Sequence, residues 1–385
     1  MRLWILTNEY KPYIIGGLGI VATNLTKAMS AQSGTDITVY SGHSSHKASE
    51  EQRNGVRVVR FPRTMPYFSK NYRAFLPSAF SGWLRKNRGS APQLIHVHSV
   101  QFGETAAYLK KKYNVPVIYT CHSLVTIERK ASLRDAAAKR QEKLLQVADA
   151  IVVPSEWQRT KVKQYYPFCN DKLHVIENGI QIKKTGGSRG ASRYKLLYIG
   201  RLVRSKGIEE LLHAVSLLAK SNSRVTLDVV GSGSPAYSWR LNALARKYGI
   251  SKRIRWHGFQ KPQVVQKLYS SYGAVIVPSR HESFGLVALE TLAHRVPLIA
   301  TQAGGLSSFV NAEVAEVIPT VSGPSIAGAI HRVWKNRELT KKRVEAGYRS
   351  ALQYDWTRAA AAYQNLFLSY LPAGRGQDER TGMEA

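Results

Sequence analysis

The sequence is poor in cysteine and in long apolar runs, and each shortage excludes a class of protein. Its 385 residues include only two cysteines, Cys121 and Cys169. Two are too few for a disulfide framework, so we expect a reducing, cytoplasmic setting. No stretch approaches the roughly 18 apolar residues that a membrane-spanning helix needs. The apolar run at residues 3–7 is too short for an export signal and is typical of a first buried strand.

Metal-binding patterns are missing as well. Asp-x-Asp does not occur, and no group of cysteines and histidines has the spacing of a zinc site. His96 and His98 alternate along one predicted strand, a pattern more typical of core or rim histidines than of ligands. The sequence therefore predicts chemistry that uses no metal ion and no other cofactor.

Acidic residues are scarce relative to basic ones. The chain has 25 Asp and Glu against 56 Lys and Arg, a formal net charge of +31. Such a charge concerns partners or solubility rather than the fold. A basic nucleic-acid binder is one interpretation, but no recognition motif accompanies the charge, so we predict no nucleic-acid partner.

The chain does contain a repeated alternation of strand and helix patterns. Strand patterns occur at residues 3–7, 37–40, 56–61, 94–97, 115–119 and 150–153. Helical patterns in the same half include residues 18–31, 131–148 and 156–166. Such alternation predicts a doubly wound parallel sheet in an α/β fold.

A second alternation follows a polar, Gly- and Ser-rich interruption at residues 181–193, which is the best candidate for a domain boundary. Its strand patterns lie at residues 195–199, 226–230, 254–257, 274–277 and 298–300. Its helical patterns lie near residues 207–219, 236–247, 262–272 and 284–293. Ligands bind beyond the carboxyl ends of such strands, so two facing sheets would place a site in the cleft between them.

The stretch at residues 280–290 carries the strongest chemical signal. Glu282 is predicted on a loop after a buried strand, and Glu290 inside the following helix. A helix that starts near residue 284 would leave its first N–H groups unpaired as an anion site, those of Phe284, Gly285 and Leu286. Eight residues at helical rise span roughly 12 Å, which would set the carboxylates on either side of a diphosphate. A nucleotide-sugar has that shape, although a capping Glu282 and a solvated Glu290 fit the spacing equally well.

Other loops after predicted strands fit the same ligand. Glycines at Gly16 and Gly17 would let a diphosphate approach the backbone. Arg201 and Lys206 bracket a helix start, where two cations would stabilise a departing nucleoside diphosphate. Gly231 could lie under a nucleobase. Each loop also fits a plain turn, a packing role or surface charge, so these residues count only in combination.

Taken in order, these motifs resemble family 4 of the retaining glycosyltransferases, and the match covers nearly the whole chain. The matching pieces are Gly16-Gly17, Thr120-Cys121-His122, residues 148–155, 178–180, Gly200-Arg201, Lys206-Gly207, and residues 231–233, 282–290 and 303–306. The resemblance implies two facing Rossmann-like domains of the GT-B type. The implied parts are an acceptor-side domain at residues 1–180, a linker at 181–193, a nucleotide-sugar domain at 194–355, a helix at 356–371 crossing back to the first domain, and a disordered tail at 372–385.

The resemblance also implies roles for individual residues. Glu282 would hold hydroxyls of the donor sugar and Glu290 the ribose, with Arg201 and Lys206 on the diphosphate. His122 would line the sugar and acceptor side. The nucleotide would be approached by Gly16, Gly17, Gly231, Phe284, Gly285 and Leu286.

The implied reaction transfers a hexose or N-acetylhexosamine from a nucleoside-diphosphate sugar to an acceptor hydroxyl, with retention and without a metal. Uridine donors are the commonest in the family. Glycogen and starch synthases carry a lysine where this chain has Ile14, which argues against a polysaccharide synthase. Gln181 and Ser308 replace acidic residues usual in the family, which puts local donor contacts in doubt. A nucleotide-sugar epimerase shares the architecture and is the competing hypothesis, although the Glu282/Glu290 pair argues against it.

The acceptor must be inferred from a basic span at residues 52–127, where Glu104 is the one acidic residue. The span holds twelve cations: Arg53, Arg57, Arg60, Arg63, Lys70, Arg73, Arg85, Lys86, Arg88, Lys110, Lys111 and Lys112. Aromatics are interleaved with them: Phe61, Tyr67, Phe68, Tyr72, Phe75, Phe80 and Trp83. We predict peripheral docking on the inner face of an anionic membrane, with a lipid-linked or cell-envelope glycan as acceptor. The alternative is that the aromatics are core and the charge only solubilises, or that the acceptor is a small soluble molecule of a natural-product pathway.

Overall fold

Two separate sheets organise the chain in the computed structural model, which describes residues 1–32, 34–43, 47–64, 74–86, 90–128, 132–182 and 190–372. The first has strand order β3-β4-β2-β1-β5-β6-β7-β8, parallel except for β3. Its strands are β1 Arg2–Thr7, β2 Asp36–His43, β3 Ser49–Arg53, β4 Val56–Pro62, β5 Leu94–Val97, β6 Val117–Thr120, β7 Ala150–Val153 and β8 Leu173–Val175. The second sheet is fully parallel, in the order β11-β10-β9-β12-β13-β14. Its strands are β9 Lys195–Ile199, β10 Thr226–Val230, β11 Ile254–Gly258, β12 Ala274–Val277, β13 Leu298–Ala300 and β14 Glu316–Val317.

Helices connect the strands and cover both faces of each sheet. In the first half they are α1 Gly17–Ala31, α2 Pro77–Lys86, α3 Gly103–Tyr113, α4 Val125–Glu128, α5 Ala136–Val147 and α6 Glu156–Tyr165. In the second half they are α7 Ile208–Ser221, α8 Pro235–Lys247, α9 Pro262–Leu268, α10 Leu286–Ala293, α11 Gly323–Lys335, α12 Arg337–Ala351 and α13 Trp356–Ser369. Because helices cover both faces, central strands such as β6 and β12 are buried at every position. The predicted α/β class with two parallel sheets is confirmed.

The last helix, α13, packs on the first sheet. Ala360, Tyr363 and Phe367 share one buried cluster with residues of β1, such as Leu3 and Ile5. The chain also passes from the first half to the second beside the start of this helix, where Ile180 N donates to the Tyr354 carbonyl oxygen at 2.8 Å. The two crossings between the halves therefore run side by side.

Several predicted boundaries differ from the structure. The helix predicted at residues 131–148 begins at Ala136, because Asp135 takes an extended conformation at the N-cap, a position that Asp favours. The helix predicted at 262–272 ends at Leu268 and continues as a 3-10 turn. The middle of the predicted linker (183–189) and most of the predicted tail (373–385) lie outside the described residues.

The aromatic residues of the basic span correct the membrane argument. Phe61, Phe75 and Phe80 are fully buried, in the cluster that also contains Trp4 and Tyr40. Trp83 is half-buried against the same cluster, whereas Tyr67, Phe68 and Tyr72 lie outside the described residues. The three buried rings cannot insert into a bilayer, because their burial stabilises the first domain instead. Phe61, Phe75 and Phe80 therefore give no support to insertion into a membrane.

Candidate active site

The candidate site lies where the strand order of each sheet reverses. In the first sheet β1 has β2 on one side and β5 on the other, and in the second β9 lies between β10 and β12. In each sheet the connections that follow two neighbouring strands, β1 and β5 or β9 and β12, leave on opposite faces, which opens a crevice at the carboxyl end. Asn8 and His98 follow β1 and β5, and Arg201 and Glu282 follow β9 and β12.

The two crevices face each other, because residues of one half contact the other. Ser155 Oγ donates to the Ser283 carbonyl oxygen at 2.6 Å. A Cβ atom on Gly17 would come within 3.3 Å of Leu286 Cδ1. The structure therefore brings together loops of both halves that carry predicted site residues.

Lys206 and Glu282 form an ion pair at the centre of the second crevice. The distance from Lys206 Nζ to Glu282 Oε1 is 2.6 Å, and the side chains are only 15% and 18% exposed. Ser279 Oγ donates to the same carboxylate oxygen at 3.0 Å. Partial burial weakens screening by solvent, so this pair is electrostatically stronger than a surface pair. A cation predicted on the diphosphate and a carboxylate predicted on the sugar are thus held in contact.

Arg201 reaches across the crevice to the other half. Its Nη2 atom lies 2.9 Å from Oε1 of Glu128 at the end of α4. Both side chains are substantially exposed, at 56% and 32%, so the pair is weak and easily exchanged. Sequence patterns gave no sign of Glu128 as a partner, because it lies on a short helix with no motif.

Glu290 is held by hydrogen bonds from the element before β12. Tyr269 OH donates to Oε2 at 2.8 Å, and Gln266 Nε2 donates to Oε1 at 3.0 Å. Burial raises the pKa of Tyr269 well above its usual value, and the nearby charge of Glu290 raises it further. The phenol therefore remains a donor that orients this carboxylate.

The helix after Glu282 begins two residues later than predicted. Gly285 has φ 109° and its Cβ position would overlap Leu306, so this residue terminates the loop and α10 starts at Leu286. Phe284 is 3% exposed and packs on Phe309 and Tyr354, with ring centroids 5.7 and 6.0 Å apart. The unpaired N–H groups of the first turn are those of Leu286 and the next two residues, and the Phe284 ring is core.

The remaining glycines already have partners within the chain. Gly231 has φ 136°, a Cβ there would overlap the Gly200 carbonyl oxygen, and its N–H donates to Gly258 O at 2.8 Å. Packing alone thus explains the glycine at 231. Gly16 N donates to Glu9 Oε2 at 2.9 Å, a contact that the sequence motifs did not suggest.

His122 is the end of a buried histidine network. Its Nε2 atom lies 2.9 Å from Nδ1 of His98. The His98 ring is tilted by 50° against that of His96, with 4.2 Å between centroids. His96 Nε2 lies 2.7 Å from Thr120 Oγ1, which is 2.9 Å from the hydroxyl of Tyr363 on α13. Burial lowers the pKa of His96 and of His122 to about 3 and that of His98 well below its usual value. All three rings are therefore neutral near pH 7.

Two buried glutamines hold the loop that carries His122. Gln158 Nε2 donates to the Cys121 carbonyl oxygen at 2.5 Å. Gln141 accepts from Val125 N at 2.9 Å and donates to the Ser123 carbonyl oxygen at 2.8 Å. Neither glutamine could be found from the sequence, because each lies on an ordinary helical pattern.

The described part of the chain contains neither a candidate metal site nor a candidate membrane-spanning helix. No group of three or more His, Cys, Asp or Glu side chains there could hold a metal ion. Within the same residues, no helix has the length and apolar character needed to cross a bilayer.

Two family models match consecutive parts of the chain. Glycosyltransferase Family 4 matches residues 15–184, and Glycosyl transferases group 1 matches residues 183–350. The chain therefore belongs to the family 4, group 1 glycosyltransferases of the GT-B type and is an enzyme of that class.

Individual relatives are distant but cover the whole chain. A glycogen synthase of Mycobacterium tuberculosis is 26% identical over 98% of this chain and 96% of its own. A D-inositol 3-phosphate glycosyltransferase of Corynebacterium jeikeium is 27% identical over 95% of each chain. Sucrose-phosphate synthase of Thermosynechococcus elongatus superposes with TM-score 0.81 at 20% identity, covering 96% of this chain and 99% of its own. HepE of Anabaena, solved with UDP and glucose, gives TM-score 0.77 at 19% identity, covering 96% and 100%.

The buried His96 predicts a pH dependence of stability. Its folded pKa of about 3 lies below the unfolded value of about 6.5, so between these values the unfolded chain binds a proton and the folded chain does not. The free energy of unfolding should therefore decrease as the pH is lowered, by about 2 kcal/mol from pH 7 to pH 5 from this group alone. Urea unfolding of the wild type and of His96→Gln at both pH values measures it, because the variant should lose that much less.

The exposed His331 supplies the control, since His331→Gln should leave the wild-type pH dependence in place. Equal losses in wild type and His96→Gln would contradict the assignment of a neutral, buried imidazole at His96.

Proposed function

We propose that this enzyme transfers a hexose or N-acetylhexosamine from a uridine-diphosphate sugar to an acceptor hydroxyl, with retention and without a metal. The observation that carries the proposal is the Lys206–Glu282 ion pair at the second crevice. Lys206 supplies the charge that a departing diphosphate needs, and Glu282 supplies a carboxylate that accepts hydrogen bonds from sugar hydroxyls. Arg201 and Leu286, which follow the same two strands as that pair, contact the first half of the chain.

The proposed roles follow from what each group can donate or accept. Arg201 exchanges Glu128 for the diphosphate, because a weak exposed pair is easily replaced by a doubly charged ligand. The first-turn N–H groups of α10, from Leu286 onward, point the positive end of the helix at the same phosphates. Glu290, oriented by Tyr269, accepts from the ribose hydroxyls. Gly17 allows the first domain to close on the site.

The proposed chemistry needs no group beyond these. The acceptor oxygen attacks the anomeric carbon on the face from which the diphosphate leaves, so the old carbon–oxygen bond breaks and the new one forms on that face. The acceptor proton passes to the departing phosphate oxygen. Lys206 and Arg201 stabilise the growing charge on the diphosphate, worth roughly 3 kcal/mol per well-placed donor. His122 hydrogen-bonds the sugar as a neutral ring, because burial lowers its pKa to about 3.

Uridine as the base is supported by two observations outside the chain. HepE binds UDP and UDP-glucose in its solved structures, whereas a starch synthase with the same fold binds ADP. Uridine donors are also the commonest in this family. A glycogen synthase is among the relatives. Ile14 stands where the Gly-Gly-Leu stretch of glycogen and starch synthases generally has a lysine, so we propose a transfer that does not extend a polysaccharide.

A panel of nucleotide-sugars tests the donor assignment. Each donor is incubated with the enzyme and with a cell-envelope lipid extract or small polyols, with and without EDTA, and free nucleoside diphosphate is measured. We expect release from UDP-sugars above all, unchanged by EDTA, with Lys206→Met reducing it about 100-fold.

Other outcomes of the panel are equally informative. Epimerised donor without release would favour the epimerase, and preference for ADP- or GDP-sugars would correct the base. No binding and no turnover with any donor would contradict the proposed transfer.

The acceptor proposal rests on a basic surface of the first domain. Arg85 and Lys86 at the end of α2 and Lys111 and Lys112 at the end of α3 are exposed, and we call these four residues the basic face. The two helices are joined by Tyr108, whose hydroxyl donates to Ser81 Oγ at 3.0 Å. That hydrogen bond lowers the pKa of Tyr108, as do the nearby charges of Lys112 and Arg85, so cations of both helices converge there.

We propose that the basic face docks the enzyme on anionic lipid at the cytoplasmic side, next to a lipid-linked or envelope glycan. Each exposed cation near such a surface contributes about 1 kcal/mol. The small phosphorylated acceptor in the name of the inositol-phosphate relatives supports the alternative of a small soluble acceptor. The Phe61, Phe75 and Phe80 rings are buried, so docking is electrostatic and should be sensitive to salt.

Liposome co-sedimentation tests this docking. The wild type should pellet with anionic vesicles at low salt, be released as salt rises, and stay free of neutral vesicles. Reversing the charge of the basic face to glutamate should abolish pelleting.

The matched control reverses four exposed cations of the second domain: Arg246, Lys247, Lys252 and Lys267. This variant should still pellet. Equal loss of pelleting in both variants would show that net charge, and not the basic face, drives vesicle binding. No pelleting of the wild type at low salt would favour the soluble acceptor.

A further inference from the structure

The loop before α1 contains an internal carboxylate where an external anion would be expected. Glu9 follows β1, and its Oε2 atom accepts hydrogen bonds from Ile15 N at 2.8 Å and Gly16 N at 2.9 Å. These are two of the backbone N–H groups just ahead of a 15-residue helix, where anions are normally held. The carboxylate therefore already occupies part of the position that the glycine motif alone would assign to a phosphate.

Gly19 is shaped to receive this carboxylate. A Cβ atom built on Gly19 would lie 2.8 Å from both Cβ and Oε2 of Glu9. Gly16, by contrast, has open space around its Cβ position and an extended backbone with φ −154°. In the structure, then, Gly19 makes room for the side chain of Glu9, whereas Gly17 lies against Leu286 of the second half.

Helix α1 supplies no other group for this end. Its N-cap residue is Gly16, no side chain caps it, and its first turn contains no acidic residue. A negative charge near a helix N-terminus is stabilising, and Glu9 supplies that charge from the loop after β1. Glu9 is itself fixed, because Thr7 Oγ1 donates to its carbonyl oxygen at 3.0 Å.

We propose that Glu9 is a positioning residue that shapes the Gly16-Gly17 loop and takes the anion position beside it. The donor diphosphate is then received by Arg201, Lys206 and α10 of the second half, and the first half contributes close approach at Gly17. The inference has a structural half, that Glu9 holds the loop, and a functional half, that this loop supports sugar transfer. Only the functional half rests on the proposed function.

Amide hydrogen exchange at Ile15 and Gly16 tests the structural half without any donor. Glu9→Ala removes the oxygen that accepts both hydrogen bonds, so the exchange rates of these two amides should rise about tenfold or more. Glu9→Gln keeps an oxygen that accepts both bonds and should retain the protection. Gly19→Ala should raise exchange like Glu9→Ala, because the added methyl displaces the carboxylate while improving helix propensity.

Steady-state kinetics test the functional half. Glu9→Ala and Gly19→Ala should lower kcat/KM for transfer about tenfold, and Glu9→Gln should restore it to near the wild-type value. Formate should partly rescue Glu9→Ala, because a small carboxylate fits the vacated position. Glu104→Gln is the matched control: it removes an exposed carboxylate from the first turn of α3 in the same half and should change neither reading.

Unchanged exchange at Ile15 and Gly16 in Glu9→Ala would overturn the structural half. Raised exchange with wild-type kcat/KM would overturn the positioning role. If the wild type transferred no sugar at all, the proposed function would fail, while the exchange experiment would still decide whether Glu9 holds the loop.

Discussion

The Lys206–Glu282 ion pair is the interaction on which the geometry of this site depends. Its two members follow β9 and β12, which are neighbours in the second sheet although three helices and two strands separate them in the chain. Only the reversal of strand order at β9 brings these two loops together. Because the pair is largely shielded from water, solvent screens its charges less and they act more strongly on a bound ligand. Arg201 and Leu286, which follow the same two strands, each contact the first half of the chain.

Much of this fold could be predicted, because parallel strands buried on both faces leave continuous apolar runs in the sequence. Residues 94–97, 150–153 and 274–277 are predicted without error for that reason. Strand β3 could not be predicted, because Ser49–Arg53 is exposed, contains no apolar residue and is defined only by its pairing with β4. The start of α10 depends on Gly285 against Leu306, a contact between distant residues that no local pattern encodes.

Site residues could be predicted by type and by loop, but not by partner. Short motifs indicate that Lys206, Glu282 and Gly16 follow strands, and the sheet places them at carboxyl ends as expected. The partners of Glu282, Arg201 and Gly16 are Ser279, Glu128 and Glu9, and no short motif indicates these pairings. The prediction that Phe61, Phe75 and Phe80 contact a membrane was wrong for a related reason. Their alternation with arginines does not show which side of a helix or strand is buried. Burial also decides the neutral state of His122.

A double-mutant cycle on the central ion pair tests the account most directly. Lys206→Met, Glu282→Gln and the double variant are compared with the wild type in kcat/KM for release of nucleoside diphosphate during transfer. If the pair acts as one unit on the donor, each single variant loses about 100-fold, and the double variant loses no more than the worse single. Wild-type turnover in Lys206→Met, or losses that simply multiply in the double variant, would contradict a site organised around this pair.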